Sequence, residues 1–526
     1  MNISSNIIKN LLLHNNKNQI LYDLNSISGE EIAKEIITLA TFFRSTTKFS
    51  NGDRVILSMN DSPEFIYSFI ALISIGCIPV PLNPLIQESE LEYILKDSKA
   101  TGVIIDNHQY LRLYQVIHSS SYIINDCVLV NNPSVKEYGS INYLQKYLSS
   151  KKAFNTSLIS EFVYAENNPV AFWQYTSGTT GNPKAVQHGH YTMLTNTELF
   201  AQKTLGIGED DVIISVPKMF FGYGLGNSLF FPLLSGATVI IDEKWFSLDN
   251  LKKNIRLYKP TVIFGTPKIY SDILHNYESF SENDFSSVRL FVSAGSSLQH
   301  SIIKEWKSKF DKTIVNGIGS TEIGHIFMCS NQVKENDENS SLGIPVTGYQ
   351  IKICEIDKPD SVVENHEEIG ELCIFPPEKT LSSYWQQENT NTAKYKNGWY
   401  FSGDLCSKKE DGTYVYHGRK DELFKVNGRW VNPLEIENTV LQNFHEVREC
   451  AVTYFIDDDG LEKPILYIVR KTDINKDLLS DDIQKKLAEN FSSYKLPTRT
   501  HFLNTLPRNS NGKVIKKGLE NNLTEA

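Results

Sequence analysis

Residues 175–190 read YTSGTTGNPKAVQHGH. Between Tyr175 and Lys184 stand two glycines, four small hydroxyl residues and one lysine. A loop with so little side-chain bulk lets backbone N–H groups converge on phosphate oxygens, and the lysine adds a point charge. A flexible surface loop has the same composition. The phosphate loop of ordinary nucleoside triphosphatases places its lysine directly after a glycine and a Ser or Thr after the lysine. Here the order is Gly178, Gly181, Lys184, Ala185, so that motif is excluded. His188 and His190 lie nearby. Without further clustered ligands they read as ordinary loop or helix-start residues rather than a metal site.

Five further segments carry polar groups in small-residue turns: SAGSSL (293–298), NGIGSTEIGHIF (316–327), GWYFSGDL (398–405), GRKDELFKVNGRWVNPLEIE (418–437) and LPRNSNGKV (506–514). Taken singly, Glu322 is a solvated loop carboxylate, Asp404 a turn residue and Lys513 an exposed lysine near the chain end. In this order, together with the loop at 175–184, the segments resemble the adenylate-forming superfamily. That superfamily contains acyl-CoA synthetases, non-ribosomal adenylation domains and firefly-type luciferases. The resemblance spans residues 175–514. One departure is Ala185, where the family commonly has glycine; a methyl fits there unless φ is positive.

The resemblance implies a two-step reaction. A carboxylate attacks the α-phosphorus of ATP to give an acyl adenylate and pyrophosphate, and a thiol then displaces AMP. It implies that Thr176, Ser177, Gly178, Thr179, Thr180 and Gly181 cradle the β- and γ-phosphates with Lys184 close by. Ser293, Ala294 and Gly295 fall on the adenine side, and Asn316, Gly317, Ile318 and Gly319 join them in the nucleotide site. Thr321 is expected to bond the α-phosphate and Glu322 to hold Mg²⁺. Asp404 and Arg419 are expected on the ribose, and Lys513 between the acyl carboxylate and the α-phosphate. Asp421 corresponds to the family's hinge, and Lys425 and Gly428 to the segment that a rotation brings to the thiol tunnel.

FFGYGLGNSLFFPLLSGATVI (220–240) and GIGSTEIGHIF look most like benzoate- and hydroxybenzoate-CoA ligases within the family. The acyl pocket this implies comprises Phe221, Gly222, Tyr223, Phe264, Ala294, Gly317, Gly319, Gly324 and His325. Aromatic walls with glycine gaps make a flat slot, suited to a small aromatic acid. Some of the Phe220–Phe231 stretch must instead pack a helix on a sheet. The thiol is that of CoA or of a phosphopantetheinyl carrier protein.

These groups need a scaffold. DRVILSM (53–59), TGVIID (101–106), DVIISV (211–216), ATVIID (237–242) and TVIFGT (261–266) are short, β-branched and spaced by helical patterns. That alternation predicts α/β layers with largely parallel sheets. The apolar run at 65–82 meets Gly76 and Pro79, too early for a span of about 20 residues, and reads as a buried helix, a strand and a turn. After residue 345 short strands dominate, which suits a small β-barrel-like subdomain. Residues 412–433 look like two hairpin-like strands around GRKDE. The last hundred residues read as a small mobile α+β domain: a helix near 434–442, strands CAVTYFI and PILYIVR, and a helix capped by Ser480 with Ile483, Leu487 and Phe491 on one face. The boundary expected near Arg419–Glu422 gives an adenylation domain over 1–419 and a small domain over 420–526.

The 526 residues allow roughly three or four domain-sized units. A formal charge of −10 and no Lys/Arg-rich run disfavour nucleic acid. The seven cysteines are scattered without a CxxC pair, which removes zinc-ribbon and thioredoxin-like readings and suits a reducing cytoplasm. The N-terminus lacks a clear cleavage site. A monomer or homodimer is expected.

Overall fold

The computed structural model describes residues 2–119, 128–131, 142–143, 169–176, 182–330, 341–380, 382–457, 460–471, 475–508, 514–516 and 519. Their contacts form two compact units. The first takes 2–330, Leu342–Gln350 and Phe375–Gly398; the second takes 341, Ile351–Ile374 and Trp399 onward.

Each of the five β-branched runs singled out above forms a strand. Arg54–Ser58 and Gly102–Asp106 pair in parallel within a five-stranded sheet. Val212–Ser215, Thr238–Ile240 and Val262–Gly265 form the middle of a nine-stranded sheet. Val212–Ser215 has Thr238–Ile240 on one side and Val262–Gly265 on the other, both parallel. Leu290–Ser293 and Ile314–Gly319 then extend the sheet, also parallel, beyond Val262–Gly265. The chain therefore reverses its winding direction between Val212–Ser215 and Val262–Gly265. In open α/β sheets a crevice opens outside the carboxyl ends of the strands at such a point.

The apolar run at 65–82 forms helix Pro63–Ser74 and strand Ile78–Pro81. The Ser62 side chain accepts from the Phe65 N–H and Pro63 occupies the first turn. Every residue from Phe65 to Ser74 is buried. Phe69 lies 5.7 Å from Phe172 and 5.9 Å from Phe230, ring to ring. This aromatic contact joins layers of the first unit, so the several domain-sized pieces allowed by length merge into one body.

In the second unit Gly370–Phe375, Trp399–Lys408 and Tyr414–Arg419 pair antiparallel in sequence. A separate antiparallel pair, Val447–Ile456 and Glu462–Arg470, takes Arg499–Phe502 in parallel on its other edge. Helices Pro433–Asn443 and Lys476–Asn490 cover it.

Two local expectations are corrected. The strands flanking GRKDE do not pair with each other. Tyr414–Arg419 pairs back onto Trp399–Lys408, and Phe424–Val426 pairs forward with Arg429–Val431. The reversing turn is Asn427–Gly428, with φ of 51° and 77°, the two positive values that a tight hairpin loop requires. The last long helix begins before Ser480. Asn475 caps it, its side chain accepting from Asp477 and Leu478 N–H, and Phe491 lies past its end. Asn caps at least as well as Ser, and Leu479 extends the buried stripe of Ile483 and Leu487 by one turn.

Lys516 ties the second unit together. Its Nζ lies 2.8 Å from Glu422 Oε2 and 2.9 Å from Glu437 Oε1. Glu437 Oε1 also accepts from Val452 N–H at 2.7 Å. Burial acts against the lysine's charge, but Glu437 and then Glu422 outweigh it and hold its pKa above the ordinary value. Lys516→Met should lower unfolding free energy by about 3 kcal/mol, because it strands the buried Glu437 carboxylate. Urea denaturation measures this; a loss under about 1 kcal/mol would mark the cluster as no better than a solvated pair.

Candidate active site

Val170–Thr176 and Lys184–Gly189 pair antiparallel, with Thr176 opposite Lys184. The glycine-rich segment is therefore closed at its base by a hairpin. Ser177, Gly178, Thr179, Thr180 and Gly181 lie outside the described residues. The first strand of the base is anchored on one face: Tyr175 O–H donates to Asp97 Oδ2 at 2.6 Å, and Trp173 packs 4.8 Å from Trp385. Ala185 is buried within the strand and is not among the residues with positive φ, so its methyl is accommodated. His188 is fully buried and stacks on Phe172 at 4.8 Å. Burial pushes its pKa down to about 3, so it is a neutral core residue. His190 begins helix His190–Asn196, and its Nδ1 accepts from Ile3 N–H at 3.3 Å.

A third strand, Ser382–Tyr384, pairs with the lysine arm. It brings in residues that sequence reasoning missed. Tyr384 O–H donates to Glu322 Oε1 at 2.6 Å, and Lys184 Nζ donates to Thr390 Oγ1 at 3.3 Å. Nothing in SSYW or its neighbours has a phosphate-loop composition; only pairing in three dimensions reveals them.

Thr321 and Glu322 stand on a tight turn between Ile314–Gly319 and Ile326–Cys329. Ser320 Oγ accepts from Ile323 N–H at 3.2 Å, and Gly324 N–H reaches the Ser320 and Thr321 carbonyls at 3.1 and 3.0 Å. Gly324 has φ 89°, which favours glycine. Asn316 lies opposite Ser293 in neighbouring parallel strands, and Ala294 and Gly295 continue from Ser293. Ser293 Oγ is fully buried, with no hydrogen-bond partner among the described residues. An unmet polar atom at a strand's carboxyl end fits a ligand that brings its own donors and acceptors. Glu322 brings a single carboxylate, a hard oxygen ligand of the kind Mg²⁺ takes beside phosphate oxygens and waters; among the described residues no group of three or more His, Cys, Asp or Glu side chains forms a metal site by itself.

At the reversal point of the sheet Tyr223, Phe264 and His325 converge. The Tyr223 ring stands edge-on to Phe264 at 6.0 Å and lies 5.4 Å from His325. Tyr223 O–H donates to the Val292 carbonyl at 3.2 Å. His325 Nε2 lies 3.3 Å from the Tyr223 carbonyl and 3.2 Å from Asn227 Oδ1. Burial pushes the His325 pKa down to about 3, so the imidazole is neutral. Phe221 and Gly222 begin the helical stretch that runs on through a wide turn, Gly226–Phe230. A Cβ at Gly226 would come within 2.4 Å of His325 Cδ2, so the helix and the imidazole meet only because this residue is glycine.

The expected glycine gaps are corrected. A Cβ at Gly324 would meet Thr192 Cγ2 at 2.9 Å, at Gly317 Ile326 Cδ1 at 2.9 Å, at Gly222 Gln174 Oε1 at 2.9 Å and at Gly319 the His325 carbonyl at 2.7 Å. The space beside these glycines is occupied by protein. They permit close packing rather than leave room for a ring.

Asp61 was also missed, because NDSP reads simply as a turn before a helix. It is buried, its Oδ1 accepts from Met219 N–H at 2.9 Å, and Lys218 Nζ stands 3.9 Å from Oδ2. Burial raises its pKa to about 6 against the pull of Lys218. It thereby fixes the backbone immediately before Phe220–Tyr223.

In the second unit Asp404 lies opposite Arg419 on paired strands. Arg419 Nη1 is 3.3 Å from Asp404 Oδ1 and Nε is 3.1 Å from Asp421 Oδ1. Asp421 is exposed in the short turn Lys420–Glu422. Lys425 Nζ sits 4.5 Å from the Trp430 ring, and the space beside Gly428 is open. The positive φ of Gly428 by itself accounts for glycine there. Lys513 lies outside the described residues.

Residues 12–385 match the AMP-binding enzyme family, and residues 435–513 match the AMP-binding enzyme C-terminal domain. The chain is an AMP-binding enzyme. It is 34% identical over 487 residues to an anthranilate–CoA ligase of Pseudomonas aeruginosa, covering 89% of this chain and 86% of that protein. It is 31% identical over 519 residues to a benzoate–CoA ligase of Thauera aromatica, covering 98% and 94%. Among solved structures, an anthranilate CoA ligase in complex with anthranoyl-AMP superposes with a TM-score of 0.86 at 27% identity, covering 99% of this chain and 97% of that one. This AMP-binding enzyme thus has the superfamily's mixed α/β fold, with a large N-terminal and a small C-terminal part, and resembles benzoate–CoA ligases throughout. Among the described residues no helix is long and apolar enough to cross a membrane.

The Asp61 contact generates a test. Asp61→Ala removes the acceptor of the Met219 N–H and should raise KM for the carboxylic acid substrate about tenfold, the scale of one lost hydrogen bond in a buried site. KM for ATP should stay within about twofold. Steady-state kinetics with each substrate varied checks this split; equal rises in both would show a general loss of structure.

Proposed function

We propose that this AMP-binding enzyme activates a small aromatic carboxylic acid of the benzoate class with ATP and transfers it to CoA, giving an aryl-CoA thioester, AMP and pyrophosphate. The observation that carries this is the convergence of Tyr223, Phe264 and neutral His325 at the sheet's reversal point, in a chain whose relatives are named for benzoate and anthranilate. An aromatic surrounding favours an aromatic, apolar substrate. None of these three side chains is a carboxylate, so they offer an amino acid's ammonium group no counter-charge and it would be bound at a desolvation cost.

Within this reading each group has a task. A free carboxylate is a poor acyl donor, and adenylation supplies a leaving group. Lys184 and the loop 176–181 hold the pyrophosphate end, and Thr321 holds the α-phosphate. Glu322 is the oxygen ligand for Mg²⁺, which when bound adds positive charge at the phosphates. Ser293–Gly295 and Asn316–Gly319 flank the base. Asp404, with Arg419 beside it, takes the ribose hydroxyls. Lys513 neutralises charge between the carboxylate and the α-phosphate. The division at 419/420, with Asp421 as hinge and Lys425–Gly428 facing the pantetheine arm, belongs to the same reading. So does the use of CoA rather than a carrier protein, which rests on the relatives' names.

Acid-dependent pyrophosphate exchange and mass-spectrometric thioester detection across benzoate, hydroxy- and aminobenzoates, acetate, octanoate and amino acids test the substrate class. At least one benzoate should exceed the others in kcat/KM by about a hundredfold, since a ring buries apolar area worth about 25 cal/mol per Å². Octanoate or an amino acid ahead of every benzoate would falsify the aryl assignment. Lys513→Ala should lower adenylation by about a hundredfold or more while largely sparing thioester formation from supplied acyl adenylate. Equal loss in both half-reactions would remove that role.

A further inference from the structure

Tyr384 faces two of the groups to which the proposed reading gives charge-handling tasks. It ends the strand Ser382–Tyr384, opposite Val186 on the arm that begins with Lys184. Its hydroxyl donates to Glu322 Oε1 at 2.6 Å, and its ring centroid lies 6.0 Å from Lys184 Nζ. The tyrosine is only 6% exposed. Its backbone is pinned by a reciprocal pair: Tyr384 N–H donates to Asn391 Oδ1 at 2.8 Å, and Asn391 Nδ2 donates to the Tyr384 carbonyl at 2.8 Å. The helix that carries Asn391, Glu388–Lys394, also carries Thr390, whose hydroxyl receives Lys184.

The chemistry of this arrangement is specific. A glutamate on a half-exposed turn has freely rotating side-chain bonds, and ordering it costs entropy at the moment a ligand binds. A buried phenol held by its own backbone clamp orders the carboxylate beforehand. It occupies Oε1 and directs the second oxygen elsewhere. Mg²⁺ takes one or two carboxylate oxygens and keeps several waters, so one free oxygen of Glu322 is enough. Ligating carboxylates are in general held by such outer hydrogen bonds.

We propose that Tyr384 is a positioning residue that fixes the Glu322 carboxylate relative to Lys184, so that cation and phosphate engage the same nucleotide together. The inference rests on the roles proposed above for Glu322 and Lys184, and it does not depend on which acid is activated.

Tyr384→Phe is the test. It keeps the ring, its contact with Tyr395 at 6.3 Å and the Asn391 clamp, and deletes only the hydroxyl. ATP binding is measured by calorimetry on the full chain, with and without Mg²⁺ and with no acid present. Affinity without Mg²⁺ should stay within about twofold of wild type, while the tightening that Mg²⁺ brings should shrink about tenfold. Glu322→Gln should abolish the same tightening, and the double variant should be no worse than Glu322→Gln alone, because the two act as one unit. Full Mg²⁺-dependent tightening in Tyr384→Phe overturns the inference. So does an equal loss of affinity with and without Mg²⁺, which marks a merely structural role. No tightening in the wild type discards the reading of Glu322 as well. Failure of the benzoate panel leaves the inference intact and discards only the substrate class.

Discussion

The middle strands of the large sheet are buried on both faces, and this confines all polar chemistry to their ends. Ile213, Val239, Val262, Ile263 and Val292 are almost wholly enclosed, as parallel strands covered on both sides must be. A charged group within those strands would be desolvated without a partner. The candidate site residues accordingly stand at or beyond the carboxyl ends of the strands: Ser293 as the last residue of Leu290–Ser293, Thr321 and Glu322 in the turn after Ile314–Gly319, and Tyr223 in the connection that follows Val212–Ser215. The reversal of winding between Val212–Ser215 and Val262–Gly265 sets where the neighbouring connections part. Tyr223 and Phe264 come from the two sides of that point.

The same confinement shifts several titratable groups near the site toward their neutral forms. His188 and His325 have lost the water that would stabilise an imidazolium, and both have pKa values near 3. Asp61, enclosed beside Lys218, is raised to about 6. Each of these costs stability relative to an apolar residue of the same shape. Each also packs or bonds a neighbouring segment: His188 stacks on Phe172 beside the lysine arm, His325 reaches Tyr223 and Asn227, and Asp61 holds the Met219 N–H ahead of Phe220. Rigid placement of reacting groups is what a reaction dominated by positioning and charge neutralisation requires.

Much of this was legible in the sequence. The β-branched runs predict strands because their length and flanking turns leave few alternatives, and the ordered motifs predict the family because each turn holds a distinct polar group. What stayed hidden is pairing between distant segments. Tyr384 approaches Glu322 across 62 positions and Asp61 approaches Met219 across 158; neither sits in a segment whose composition signals chemistry. The glycines of the acyl segment misled for a related reason. A missing side chain reads as a gap, yet at Gly222 and Gly324 neighbouring side chains already stand there. The GRKDE turn misled because a polar turn between two β-runs suggests a hairpin, while positive φ at Asn427 and Gly428 puts the true reversal a few residues later.

In the second unit, Arg419 carries a constraint of its own. Its guanidinium is shared between Asp404, on the facing strand, and Asp421, two residues along in the turn Lys420–Glu422. Burial disfavours its charge, but Asp404 first and Asp421 next more than compensate and hold its pKa above the ordinary value. A planar guanidinium meets two carboxylates only in a defined geometry. A rearrangement of the turn that carries Asp421 away from Nε leaves Asp404 as the remaining carboxylate partner. The state of that turn and the electrostatics at Asp404 are therefore linked through one side chain.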